Sequence, residues 1–154
     1  MGSQKFQFNR LLIEIDRLIE EGKIIEEVFA QIGYSDYEPK NYKFKKFLDR
    51  DEFSNIMSKC NKVITHGGTG AIIGAVKQRK KVIAVPRQER YEEHVDNHQL
   101  QIVSLFNEME LILGINDVEK LEVELGKLEK LKFKEYRSNT EQIVNSIDTY
   151  IKEN

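Results

Sequence analysis

The chain has 154 residues, with 24 Lys+Arg against 26 Asp+Glu and a formal net charge of -2, which suits one domain with a core of its own. Balanced charge excludes the clustered basic field that nucleic-acid binding needs. No apolar run approaches the roughly 20 residues of a membrane-spanning helix and no signal-peptide pattern opens the chain, so it reads as soluble and intracellular. In chain order, Phe8, Leu11, Leu12, Ile15, Leu18 and Ile19 fall at the spacing of an amphipathic helix, with Gly22 as its stop. Val28–Ile32 is a short β-prone run. Residues 34–41 carry loop chemistry, and Tyr42, Phe44 and Phe47 suggest another strand. Asp49 to Asp51 are candidate caps for a helix that reaches Lys59.

The middle third has the clearest pattern. Lys62–Thr65 is a β-branched run, His66-Gly67-Gly68-Thr69-Gly70 a glycine turn, Ala71–Gln78 a compact helix and Lys81–Val85 a strand stopped by Pro86. Strand, turn, helix, strand is a βαβ unit with parallel strands. Beyond the polar loop 87–93, the pattern predicts a helix over His94–Phe106, a strand over Glu110–Leu113 and a closing helix over Thr140–Ile151. Residues 117–137 read as solvated helix and linker. The alternation argues an α/β layered fold with a mostly parallel sheet. Cys60 is the only cysteine; it reads as an inert thiol, and no disulfide or cysteine metal cluster can form.

Ligands of open α/β sheets bind at the carboxyl ends of the strands, where the glycine turn stands. Glycines let backbone N–H groups approach a ligand, and the start of the next helix favours an anion. A phosphate is the favoured guest, with Thr69 and His66 as further hydrogen-bond partners; the rival reading is a turn whose glycines only permit close packing. A P-loop is excluded, because no Gly-Lys-Ser/Thr occurs. A dinucleotide fingerprint fails by one residue, with Ile73 where glycine is required and Gly74 after it; Pro86-Arg87 replaces the usual acidic residue. An NADP-type module therefore stays only as an alternative. The second constellation is Glu92-Glu93-His94-Val95-Asp96-Asn97-His98-Gln99, whose acids, imidazoles and amides suit the hydroxyls of a sugar or ribose. His94 and His98 at i, i+4 raise metal binding, but no third ligand is specified, so no metal is expected. A polar helix start is the plainer explanation of the acids. Arg79-Lys80-Lys81 reads as charge compensation at a helix end, with membrane-surface contact as the rival.

The stretch from Val63 through Gly70, with Val82–Pro86 and Glu93–Gln99, resembles the carboxyl-terminal, donor-binding half of family 28 glycosyltransferases. More narrowly, it is similar to the small soluble subunit of two-component bacterial exopolysaccharide glycosyltransferases, itself similar to the soluble subunit of the eukaryotic two-component N-acetylglucosaminyltransferase. The resemblance implies one such domain over 1–154, Rossmann-like with helices on both faces of the sheet. It implies a UDP-sugar as donor substrate and no other cofactor. His66, Gly67, Gly68, Thr69 and Gly70 would hold the diphosphate, with His66 the candidate catalytic group. Glu93, His94, Asn97 and Gln99 would address sugar or ribose hydroxyls. Related domains place a ribose-binding glutamate where this chain has Gly74, which makes Glu93 the candidate for that task. The implied activity is inverting hexosyl transfer to a lipid-linked saccharide in exopolysaccharide or capsule synthesis. The implied partner is a membrane-anchored, acceptor-binding subunit that keeps the chain peripheral at the inner face of the cell membrane. The rival role is a non-catalytic enhancer of the partner. Family members also open with an apolar strand in mid-sheet, so a first strand is expected to be missing before Gly2-Ser3-Gln4.

Overall fold

The structure is a computed structural model that describes residues 5–137. Its helices are α1 Asn9–Glu20, α2 Arg50–Lys59, α3 Thr69–Lys77, α4 His98–Glu108 and α5 Leu121–Leu128, and its strands β1 Phe29–Gln31, β2 Lys43–Lys45, β3 Lys62–His66, β4 Lys81–Val85 and β5 Leu113–Gly114. Short 3-10 turns cover Glu89–Tyr91 and Val118–Lys120. The predicted amphipathic stripe is the buried face of α1, and Gly22 follows it at φ +69, a conformation that glycine adopts without Cβ strain. Asp49 caps α2 in a reciprocal box: Glu52 N donates to Asp49 Oδ1 at 2.8 Å and Asp49 N to Glu52 Oε2 at 3.3 Å.

Among the described residues all strand pairs are parallel, in two sheets. β1 pairs with β2, and β3, β4 and β5 form a second sheet in that order. The side chains of β4 alternate between two layers, as the two-residue period of a strand requires. Ile83 and Val85 pack with Phe8, Leu11, Ile15 and Leu18 of the α1 segment and with Leu121 and Leu128 of α5. Val82 and Ala84 pack with Ile72, Ala75 and Val76 of α3 and with Val103 and Phe106 of α4. Helices therefore cover both faces, and the mixed α/β architecture is the Rossmann-like one expected.

Three local readings are corrected. Helix α4 starts at His98, four residues later than predicted. Asp96 Oδ1 accepts the His98 backbone N–H at 3.0 Å and Asn97 Oδ1 that of Glu89 at 3.1 Å, bonds that offer the backbone an alternative to helix. The last strand is Leu113–Gly114, because Glu110 at φ 58 still belongs to the turn that ends α4. Residues 117–137 are not merely solvated, since Val118, Leu121 and Leu128 are buried. The predicted helix over 140–151 and the opening Met1–Gln4 lie outside the described residues.

Candidate functional site

Register brings the two sequence constellations together. His66 ends β3 directly opposite Val85, the last residue of β4, so the glycine turn and the loop after Pro86 leave neighbouring strand tips on the same edge. Gln99, the second residue of α4, fastens them: its Oε1 accepts Gly67 N at 3.1 Å and Arg87 N at 3.0 Å. Gln99 is buried, and this oxygen is already doubly bonded to backbone donors. Its geometry is that of a residue that positions the two loops, and not of one held out to a sugar hydroxyl.

The glycines of the turn serve different purposes. A Cβ on Gly67 would lie 2.8 Å from Gln99 Cβ and 2.9 Å from Val103 Cγ2, so this glycine lets α4 pack on the turn. A Cβ on Gly68 would meet His66 Nε2 at 2.4 Å, so this glycine makes room for the imidazole. Around Gly70 a Cβ meets nothing within 4 Å. Thr69 and Gly70 are exposed and open α3, whose N-cap Gly68 supplies no side-chain bond to the first turn. Packing thus accounts for two glycines, and Thr69 and Gly70 are left as the exposed start of α3, where the first backbone N–H groups of a helix have no partner within it and carry the positive end of its dipole.

His66 is buried, and its pKa is pushed down to about 3 by that burial and by the positive charge of Arg87. It is neutral at physiological pH, a hydrogen-bonding group and a weak base. Arg87 is 1% exposed; its Nη2 donates to Phe6 O at 3.3 Å, and its guanidinium stands 5.5 Å over the Phe8 ring. Burial holds its pKa below the ordinary arginine value, against the attraction of Glu93. Glu93, also 1% exposed, accepts Arg10 Nε on Oε1 at 2.7 Å and Gln88 N on Oε2 at 3.1 Å. Burial raises its pKa, and Arg10 opposes that rise. Both carboxylate oxygens have internal partners, so this arrangement does not present Glu93 to a ribose.

His94 is buried with its ring 4.8 Å from that of Phe6 and 4.7 Å from that of His98. Asn97 is exposed, with its Oδ1 turned back to Glu89 N. The open polar surface of the site is thus Thr69, Gly70, Asn97 and His98, above a buried layer of His66, Arg87, Glu93, His94 and Gln99. Arg10 escaped sequence reading because its contact with Glu93 spans 83 positions. Arg87 carried a signal, as the residue after the proline at a strand tip, but not its burial.

Among the described residues, no helix is long and apolar enough to cross a membrane. No curated protein matches the chain. The model of the glycosyltransferase family 28 C-terminal domain matches residues 1–153, and the chain, with its βαβ unit of parallel strands, belongs to that glycosyltransferase family.

Proposed function

We propose that the chain is the donor-binding subunit of a two-component inverting glycosyltransferase and takes a UDP-sugar at the tips of β3 and β4. The observation that carries this reading is the exposed first turn of α3, open at Gly70, in a family 28 domain. The diphosphate rests on the Thr69 and Gly70 N–H groups, and neutral His66 donates a hydrogen bond to it. Asn97, exposed on the adjoining loop, addresses the sugar or ribose, while Glu93 and Gln99 hold that loop in place. In transfer, an acceptor hydroxyl attacks the anomeric carbon, and the bond to the β-phosphate oxygen breaks with its electron pair left on UDP. The helix end and backbone dipoles stabilise that charge. A histidine with a pKa of about 3 is poorly matched to general-base work at neutral pH, so the base comes from elsewhere, which fits a partner subunit. That partner is membrane-anchored and presents a lipid-linked saccharide of exopolysaccharide synthesis, with this chain peripheral on the cytoplasmic side.

Titration calorimetry with UDP and with NADPH tests the donor assignment, and Gly70→Ala tests its location. Wild-type protein is expected to bind UDP, and Gly70→Ala to weaken binding by about tenfold or more, equivalent to about 1.4 kcal/mol. The same change leaves the melting temperature equal or higher, because the new methyl touches no protein atom and alanine is the better helix former. Gly68→Ala, which drives a Cβ into His66, instead lowers stability by about 1–3 kcal/mol. Binding of NADPH and not UDP overturns the donor assignment. UDP binding untouched by Gly70→Ala overturns the placement of the diphosphate.

A further inference from the structure

We infer that His94, Asp96 and His98 form a three-ligand site for one divalent transition-metal ion of the zinc class, with a fourth position left to solvent or a ligand oxygen. One donor atom from each residue lies within 4.8 Å of the other two. His94 Nδ1 stands 3.3 Å from Asp96 Oδ1. Two ligands each about 2.0–2.1 Å from a tetrahedral zinc ion are about 3.3–3.4 Å apart, so this pair already has the required spacing. His98 Nδ1 contacts the same Asp96 oxygen, so both imidazoles converge on one carboxylate. Two imidazoles and a carboxylate suit zinc, cobalt or nickel; magnesium and calcium prefer all-oxygen sets.

The late start of α4 creates this cluster. In an uninterrupted helix, residue i+2 lies off the face shared by i and i+4, so Asp96 would turn away from both histidines. In the turn over 94–97 it swings between them, which supplies the third ligand that spacing alone did not specify. One ligand is fixed and two can adjust: the His94 side chain is 5% exposed and seated against Phe6, whereas Asp96 and His98 are 54% and 46% exposed. The ion can therefore enter from solvent and close the site by small rotations. Bound there, it ties the turn to the first residue of α4, immediately before Gln99, which joins the two ligand-facing loops.

The test uses tag-free full-length chain stripped with a chelator and titrated with zinc, and with cobalt as a spectroscopic probe; no nucleotide is involved, so failure here is separate from failure of the UDP-sugar reading. The expected results are one zinc per chain, a melting temperature that rises with zinc, and intense visible d–d bands from four-coordinate cobalt. His98→Ala and Asp96→Asn, at half-exposed positions that leave the fold intact, should each weaken zinc by more than the roughly 10- to 100-fold typical of losing an outer-shell partner. The chain has only three histidines and His66 is buried, so unspecific imidazole binding is a small background. Absence of saturable one-to-one zinc binding, absence of the cobalt bands in the wild-type chain, or zinc affinity unchanged in both variants overturns the proposal and leaves Asp96 as a hydrogen-bonding turn residue.

Discussion

Burial makes the fold oppose protonation of His66. Its pKa of about 3 lies below the ordinary value near 6.5, so between those limits the unfolded chain binds the proton and the folded chain refuses it. Stability is complete above pH 6.5 and falls as the pH drops toward 3. Two limiting pKa values of 6.5 and 3 correspond to a loss of about 2 kcal/mol between pH 7.5 and pH 5. Glu93 acts with the opposite sign, since burial raises its pKa and its protonation favours the folded state as pH falls. The contribution of His66 is therefore isolated by comparing wild type with His66→Gln in urea melts across the pH series. Wild type should lose about 2 kcal/mol more than the variant from pH 7.5 to pH 5; parallel curves would show that the imidazole is not held neutral.

At the scale of elements, legibility followed the range of the interactions. The βαβ unit from Lys62 to Val85 was readable because its strand run, glycine turn and helix are all written in adjacent residues, and Asp49 announced α2 through a cap that closes within four positions. The start of α4 was not readable, since Asp96 and Asn97 compete for backbone donors that a periodicity count ignores. The glycine turn is written in five adjacent residues at a strand tip, but the roles of Gln99 and Glu93 as ties depend on bonds to Gly67 and Arg10, 32 and 83 residues away. Helix α5 reads as solvated because it lies in the lysine- and glutamate-rich run 117–137. Leu121 and Leu128, seven apart on one face, are both fully buried, and Lys81 Nζ donates to Leu128 O at 3.1 Å and Glu129 O at 2.7 Å at the helix end. Leu121→Ala should therefore cost about 2–5 kcal/mol in urea denaturation. Val123→Ala, at an exposed position, should stay within about 0.5 kcal/mol. Similar effects of the two would mean that α5 is the solvated segment its composition suggested.

Across the whole molecule, the described residues form two parallel sheets with no hydrogen-bonded ladder between them, so their union depends on side chains. Helix α1 provides it. Phe8, Leu11, Ile15 and Leu18 pack in one cluster with Val28 beside the small sheet and Ala30 of β1 within it, with Ile64 of β3, and with Ile83 and Val85 of β4. Arg10 adds a largely buried ion pair to Glu93. The exposed pairs from Lys62 to Glu26 and Glu129 add little, as such pairs are worth at most about 1 kcal/mol. If α1 is the common wedge, shortening one of its side chains must loosen both sheets together. Leu18 is fully buried, and Leu18→Ala should cost about 3 kcal/mol, within the roughly 2–5 kcal/mol range of such truncations. Native-state hydrogen exchange locates where that loss is felt. The Ile32 amide, bonded to Lys45 O at 2.9 Å beside the small sheet, and the amides of β4 should lose equal protection free energy. Loss confined to the Ile32 and β1–β2 amides would show that the small sheet and α1 open as a unit of their own, with the β3–β4–β5 sheet standing independently of them.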